Sequence, residues 1–528
     1  MEALLIANMA PIMFASLVVV LLLGYPVAFA LAFNGLFWGV IGISLGLFQP
    51  TFFQALPERI FGVMGNETLL AVPFFTFMGL ILERSGMAEE LLDTIAQLFG
   101  PVRGGLAYAA VFVGALLAAT TGVVAASVIA MGLISLPIML RYGYDRRLAT
   151  GVIAASGTLA QIIPPSLVLI VMADQLGKSV GDMYDGAIVP GLVLSFLYAL
   201  YVLAETLIRP NAAPALPKEF RTLRGLKLLV RVIVALIPPL ILIFLVLGTI
   251  FIGVATPTEG GAMGAVGALA LAALKRRLSW TIVKQALDAT TKLSAFVLFI
   301  LIGSRVFSLT FYGVDGHVWV ENLLTGLPGG QIGFLIVVNM LVFVLAFFLD
   351  FFELAFIVVP LVGPAAEHLG IDLIWFGVLL GINMQTAFMH PPFGFSLFYL
   401  RSVAPQAPYK DRVTGDTIQP ITTGQIYWGA VPFVAIQVVM IGLTITFPSM
   451  VMRYKAGEVH VDSTKIQIQA PSYDQQQGAP DFGTGAPNFG TAPTPAPETG
   501  EPAAPNFGGA PAPSGSEQPA APNFGTGQ

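Results

Sequence analysis

Seven landmark residues recur in this chain at one fixed spacing. Gly86 is matched by Gly313, Pro101 by Pro328, Pro137 by Pro364, Gly143 by Gly370 and Asp145 by Asp372, and Pro164 and Pro165 by Pro391 and Pro392, each 227 residues later. No gap interrupts the spacing, and other identities between the two stretches are sparse. Residues 1–227 and 228–454 are therefore expected to be two repeats that share architecture more than sequence. Helix-breaking residues at matching places in two apolar halves point to a secondary transporter with its site near the bilayer midplane.

The apolar character makes that reading apply. Hydrophobic residues are 56% of the chain, charged residues 10%, and the mean hydropathy is +0.82. Segments such as 11–33, 188–208, 228–247 and 426–447 each offer about 20 apolar residues, enough to cross a bilayer. The first lacks a basic n-region and a small-residue cleavage site, so it is expected to be a retained span. With no cysteine there is no disulfide, thiolate metal site or cysteine nucleophile. The 4 histidines form no H-E-x-x-H pattern, and there is neither a P-loop nor a G-x-S-x-G. The chain is therefore not expected to be an enzyme or to carry a cofactor. Charge divides it further. Residues 1–454 are balanced, and the net charge of −5 sits in 455–528, so no nucleic-acid footprint is present. That tail is rich in Pro, Ala, Gly and Gln, repeats the unit A-P-D/N-F-G, and is expected to be disordered.

Both halves read alike. Two closely spaced spans (9–48; 228–274) lead to a third (68–84; 292–310) and a short amphipathic stretch (88–97; 317–325). A long apolar run follows (104–140; 331–367), then a span interrupted by Pro-Pro (148–173; 373–400) and a closing span (186–208; 426–448). The long runs lack a polar turn at a span's length and fit re-entrant helical hairpins, whose irregular tips are tolerated at membrane depth when buried in protein. The tips would be 118–123 and 348–353. The expected fold is thus an all-α polytopic membrane protein with about ten transmembrane helices and two re-entrant hairpins.

Cytoplasmic loops hold the Lys/Arg excess. The first hairpin is flanked by Arg103, Arg141, Arg146 and Arg147, whereas 326–332 and 366–373 hold no Lys or Arg. The hairpins are therefore expected to open to opposite sides, the first from the cytoplasm, which makes the repeats inverted. Both termini then lie outside, although Arg453 and Lys455 run against this at the C-terminus.

The breaks carry the chemistry. A proline inside a helix costs about 3 kcal/mol, and just before the two Pro-Pro pairs lie Ser156-Gly157-Thr158 and Asn383-Met384-Gln385. Freed carbonyls and hydroxyls at such breaks suit dehydrated sodium, a hard cation that takes oxygen ligands. The alternative is a structural kink with Ser/Thr bonded back to its own helix. Asp350, Glu353 and Glu259 lie within or between apolar runs, where an acid faces a cavity or a partner. Each either serves an ion or caps a helix, with capping favoured for Glu259 and an ion role for Asp350. Arg305, inside an apolar run, either forks onto a substrate carboxylate or snorkels to the interface. Ser166 and Glu353 join it as candidate substrate contacts.

Several motifs together resemble the large membrane subunit of tripartite ATP-independent periplasmic (TRAP) transporters. They are Gly143-Tyr-Asp145, Ala155-Ser-Gly-Thr-Leu159, Ile163-Pro-Pro-Ser166 and Ile188-Val-Pro-Gly191, with Thr256-Pro-Thr-Glu259, Gly370-Ile-Asp372, Pro391-Pro-Phe-Gly394 and the stretch 72–79. The resemblance covers roughly 1–454 and implies a bacterial inner-membrane, sodium-coupled importer of organic acids. It implies a small four-helix membrane partner, a periplasmic substrate-binding protein, and an elevator in which hairpins and broken helices move against a scaffold. By matching position, the sodium ligands would be Thr120, Thr121, Gly122, Ser156, Gly157, Thr158, Asp350, Asn383, Met384 and Gln385. Sodium is the coupling ion in that scheme. The style suggests the subgroup associated with mannitol or chloroaromatic compounds, which includes 2-oxoacid and lactate systems. Two places depart from the family pattern: the first tip lacks the usual serine-rich stretch, and His390 stands where an apolar residue or Thr is usual. The nearest other reading is a stand-alone sodium/anion symporter of the divalent-anion type.

Overall fold

Among the described residues of the computed structural model, eighteen helices fall into two sets of nine with the same order. The first set is α1 (Met9–Leu22), α2 (Val27–Ser44), α3 (Ala71–Arg84), α4 (Met87–Phe99), α5 (Gly105–Thr121), α6 (Val124–Arg141), α7 (Arg146–Thr158), α8 (Leu167–Gln175) and α9 (Val180–Ile208). The second is α10 (Gly225–Phe251), α11 (Pro257–Leu274), α12 (Trp280–Gly313), α13 (Gly316–Thr325), α14 (Gly330–Leu345), α15 (Phe351–His368), α16 (Leu373–Thr386), α17 (Phe395–Val403) and α18 (Thr423–Thr446). Short helices Glu2–Ala7 and Leu56–Met64 and several 3-10 turns lie outside the two sets. The structure describes residues 2–121, 124–221, 223–411 and 413–457, without the side chains of 3, 120, 121, 126, 220, 454, 456 and 457. The expectation of a disordered tail therefore lies mostly outside the described residues.

The shared landmarks have a local cause. After α6 and α15 the chain turns on Gly143 and Gly370, at φ +77 and +71, a region glycine enters without strain. The next amides bond back across the turn, Tyr144 N–H to Met139 O at 3.0 Å and Ile371 N–H to Ala366 O at 2.9 Å. Such bonds satisfy the last carbonyls of a helix. Two residues after each glycine an aspartate opens the next helix. Asp145 accepts from the amides of Arg147 and Leu148, and Asp372 from those of Ile374 and Trp375. Gly-x-Asp is thus one helix stop and one helix start, used twice. Both Pro-Pro bonds are cis.

Contacts between the sets come in reciprocal pairs: α2 with α12 and α3 with α11, α7 with α18 and α9 with α16, α6 with α17 and α8 with α15, α1 with α13 and α4 with α10. Exchanging the sets leaves this pattern unchanged. Two crossings need glycine for close approach. A Cβ on Gly303 of α12 would lie 2.4 Å from Ala28 O of α2. Cβ atoms on Gly151 and Gly429 would lie 2.1 and 2.2 Å from carbonyl oxygens across the α7–α18 crossing. Small residues at such crossings let backbones approach without lipid between them.

The arms α5 and α6 pack together, as do α14 and α15, in the places expected for the hairpins. Six helices of the described residues are long and apolar enough to span a bilayer, or up to eight if two bent pairs each count as one. The expected ten crossings are thus not ten long helices, because some are short or broken. The third span of the second half, expected at 292–310, belongs to α12, which begins at Trp280. At about 1.5 Å per residue its 34 residues reach roughly 50 Å, beyond the hydrocarbon core. A strand pair, Tyr409–Lys410 with Thr417–Ile418, was not foreseen. At its turn Asp411 is buried and grips Arg141 Nε at 3.0 Å, tying the end of α6 to this loop.

Candidate functional site

Each break is a helix end, a turn and a new helix start. In the first half α7 ends at Thr158 and the 3-10 turn Leu159–Gln161 continues it. Beyond the prolines Ser166 caps α8, accepting from Leu169 N while its hydroxyl donates to Gln161 O. In the second, α16 ends at Thr386, and the Ser396 hydroxyl of α17 donates back to Phe388 O at 2.5 Å. One device, a serine hydroxyl closing onto the turn, holds both breaks.

The polar residues before the breaks are all buried: Ser156, Thr158, Asn383, Gln385 and Thr386 have no exposed surface. The two halves meet there. Gln385 Nε2 donates to Thr158 Oγ1 at 3.0 Å, and these residues are 227 apart, the same position in both sets. Thr158 also donates to Ala155 O at 2.8 Å, which is the back-bonding of a structural kink. Asn383 Nδ2 donates to Asn339 O and Oδ1 of α14 at 2.7 and 3.0 Å, fixing α16 to its own hairpin. On the first-half side Ser156 presses on α5, where a Cβ at Gly114 would lie 2.6 Å from its own Cβ, and Gly157 faces Val128 of α6. Met384 is buried in α16.

Not every polar atom is satisfied. Ser156 Oγ, Gln385 Oε1 and both amide atoms of Gln161 are buried without a hydrogen-bond partner among the described residues. Buried unpartnered polar atoms are rare in native proteins; these and both ring nitrogens of His390 flank the breaks, while others lie elsewhere, at Asn34, Thr76 and Thr290. Of the expected first-tip ligands, Thr120 and Thr121 end α5 but their side chains lie outside the described residues, as does Gly122 entirely.

At the second tip Asp350 caps α15. Its Oδ1 accepts from Glu353 N at 2.9 Å, and Glu353 Oε2 accepts from Asp350 N at 3.0 Å. Thr256 and Glu259 form the same reciprocal box at α11, the capping role favoured for Glu259. Arg305 lies elsewhere. It is half-buried on α12 with no ion pair or hydrogen bond among the described residues, and lines a crevice of about 440 Å³ with Tyr312, Pro360, Gly363, Glu367 and Asp174. Pro360 is ten residues along α15 from Asp350, about 15 Å at helical rise. Neither Ser166 nor Glu353 lines that crevice with Arg305. Arg453 and Lys455, the basic residues at odds with an outside C-terminus, pair locally with Asp185 at 2.9 Å and Asp372 at 2.7 Å.

Sequence reasoning missed Gln161 and Asn339. Gln161 is a polar residue inside an apolar break, a signal overlooked because it falls outside the Ser-Gly-Thr triplet. Asn339 gives no local signal, since only folding brings α14 against Asn383.

Residues 14–450 match the family model described as "Tripartite ATP-independent periplasmic transporter, DctM component". The chain is 32% identical over 366 residues to the C4-dicarboxylate TRAP transporter large permease protein DctM of Pseudomonas aeruginosa, covering 68% of this chain and 83% of that one. It is 32% identical over 421 residues to the protein of that name from Vibrio cholerae, covering 74% and 89%. It is 28% identical over 399 residues to the 2,3-diketo-L-gulonate TRAP transporter large permease protein YiaN of Escherichia coli, covering 74% and 89%. These relatives are transporter permeases, and the apolar helices agree with their setting. The chain belongs to the DctM family, the large permease component of TRAP transporters, and is a multi-pass protein of the bacterial inner membrane.

Proposed function

We propose that this chain is the permease of a sodium-coupled importer of organic anions bearing a carboxylate, working with a small four-helix membrane subunit and a periplasmic binding protein. The observation that carries the reading is the pair of broken helices joined by the Thr158–Gln385 bond, with unpartnered buried oxygens beside it. Oxygens freed at helix breaks suit sodium, a hard cation that takes oxygen ligands. The ion ligands are drawn from Thr120, Thr121, Gly122, Ser156, Gly157 and Thr158 in one half and Asp350, Asn383, Met384 and Gln385 in the other.

The reciprocal contacts support two inverted repeats, 1–227 and 228–454, with hairpins entering from opposite faces. The charge asymmetry of their flanks supports the first opening to the cytoplasm. Hairpins and broken helices then move as an elevator against α2, α3, α11 and α12. Arg305, in a crevice between α12 and α15, meets the anion on the periplasmic side of the second hairpin. The names of the relatives favour C4-dicarboxylates or sugar acids, and the motif style favours 2-oxoacids or lactate. Uptake of labelled succinate, pyruvate and lactate into proteoliposomes, with each of the three components omitted in turn, tests the reading. Transport by the large subunit alone would favour a stand-alone symporter.

A further inference from the structure

The two repeats stop matching after the second break. Residues 176–179 separate α8 from α9, whereas residues 404–422 separate α17 from α18. The longer connection carries the strand pair Tyr409–Lys410 with Thr417–Ile418, held to the end of α6 by the Asp411–Arg141 clasp at 3.0 Å. With the first turn of α18 and the start of α7 it walls a crevice of about 470 Å³, whose polar lining includes Asp145, Arg146, Arg147, Thr417, Gln419 and Gln425. Arg146 is half-buried and Arg147 exposed, and neither side chain has a hydrogen bond or ion pair among the described residues. Two acceptors in the crevice are already engaged. Asp145 Oδ1 accepts from the amides of Arg147 and Leu148 at 2.8 and 3.1 Å, and Gln425 Oε1 from Thr422 N at 3.0 Å. Asp145 sets one negative charge against the two positive charges of the arginines.

The repeat does not require these arginines. Their equivalents, 227 residues on, are Leu373 and Ile374, both buried and apolar. An excess of Arg on the cytoplasmic side asks for no walls around it, yet here a strand pair without a counterpart in the first half encloses the pair. We propose that this crevice is an anion site that takes a phosphate group, free or on an anionic lipid headgroup, gripped by Arg146 and Arg147. A guanidinium meets phosphate oxygens with two parallel N–H donors, and the Thr417 hydroxyl and the Gln419 and Gln425 amides supply further donors. The cytoplasmic placing rests on the topology proposed above, and the binding does not. A bound phosphate links the start of the first broken helix to the loop before α18.

The test is the thermal midpoint of the purified full-length chain in detergent, read against inorganic phosphate at constant ionic strength. A second arm uses micelles doped with phosphatidylglycerol or phosphatidylcholine. Phosphate salts also strengthen apolar burial in proteins generally, so the reference is the double variant Arg146→Gln/Arg147→Gln, where that effect persists. The unmodified chain should show a saturable rise with free phosphate, with phosphatidylglycerol over phosphatidylcholine, or with both. In the double variant the apparent affinity should fall about tenfold or more, because two charge-assisted contacts are lost. Arg103→Gln removes an exposed arginine outside the crevice and should respond as the unmodified chain does. A response to free phosphate alone supports the site and names a soluble anion, and one to phosphatidylglycerol alone supports it and names a headgroup. Should the double variant fail to fold, Arg147→Gln, at an exposed side chain, carries the same prediction. Equal responses in the unmodified chain and the crevice variants overturn the assignment. So does an equal fall in Arg103→Gln, or no response to either probe.

Discussion

The bond between Thr158 and Gln385 can be tested by removing each end. Thr158→Val leaves the buried Gln385 Nε2 without its 3.0 Å acceptor, and Gln385 Oε1 already lacks a partner. A buried amide stripped of its hydrogen bonds costs about 1–3 kcal/mol. Gln385→Leu removes both amide atoms together, while the Thr158 hydroxyl keeps its donation to Ala155 O. That variant should lose about 1 kcal/mol or less. The double variant should resemble Gln385→Leu alone, because no orphaned amide remains. The two sites are thus coupled, with an interaction energy of about 1–2 kcal/mol. Thermal midpoints of the purified permease in sodium-free detergent read the order, with Thr158→Val lowest by about 1–5 °C. If Thr158→Val matches the unmodified chain, or if the single losses simply add in the double variant, the bond does not join the halves.

Three further outcomes follow from the same structure. Burial alone raises the Asp411 carboxyl, but the amides of Thr414 and Val413 and the Arg141 guanidinium outweigh it and hold the group below the usual carboxylate range. Its stabilisation is therefore present above the unfolded value near pH 4 and lost as pH falls through the folded value. Lys410 is already exposed, so Asp411→Asn, by loosening the loop, should speed tryptic cleavage after Lys410 at pH 7, and an equally resistant loop would contradict the clasp. At Arg305, substitution by Lys should raise the apparent KM about ten- to hundred-fold if the guanidinium forks onto a carboxylate. A wild-type KM would make Arg305 a positional anchor. With no native cysteine, single cysteines at Arg103 or Tyr142 should label only from the cytoplasm, and those at Gly330 or Leu369 only from the periplasm. Labelling of both pairs from one side would refute the inverted arrangement.

Much of this fold is legible because breaks are written locally. Gly143 and Asp145 specify a helix stop and start by backbone freedom and side-chain capping, and their partners Gly370 and Asp372 do the same. The double prolines at 164–165 and 391–392 fall at interruptions, whereas Pro238 and Pro239 lie within the unbroken helix α10. Asp350 shows the limit of such reading. A carboxylate in an apolar run reads as ion ligand or cap, with the ion role favoured here, and only the reciprocal bonds with Glu353 show that it also caps α15. The start of α12 at Trp280 was missed because its first turns carry Lys284, Asp288 and Lys292, which break the apolar pattern without breaking the helix. The meeting of Thr158 with Gln385 was equally hidden. Its residues are named by the sequence, but contact between equivalent positions depends on how the halves pack.

Sodium coupling is the claim on which the site stands or falls. The direct measurement is uptake of labelled substrate into proteoliposomes holding the permease, its small subunit and its binding protein, with an inward sodium gradient or with choline replacing sodium at equal osmolarity. The account predicts accumulation only with the gradient. It also predicts stimulation by an inside-negative potential, each net positive charge moved adding about 2.3 kcal/mol per 100 mV. Equal accumulation in choline would contradict it.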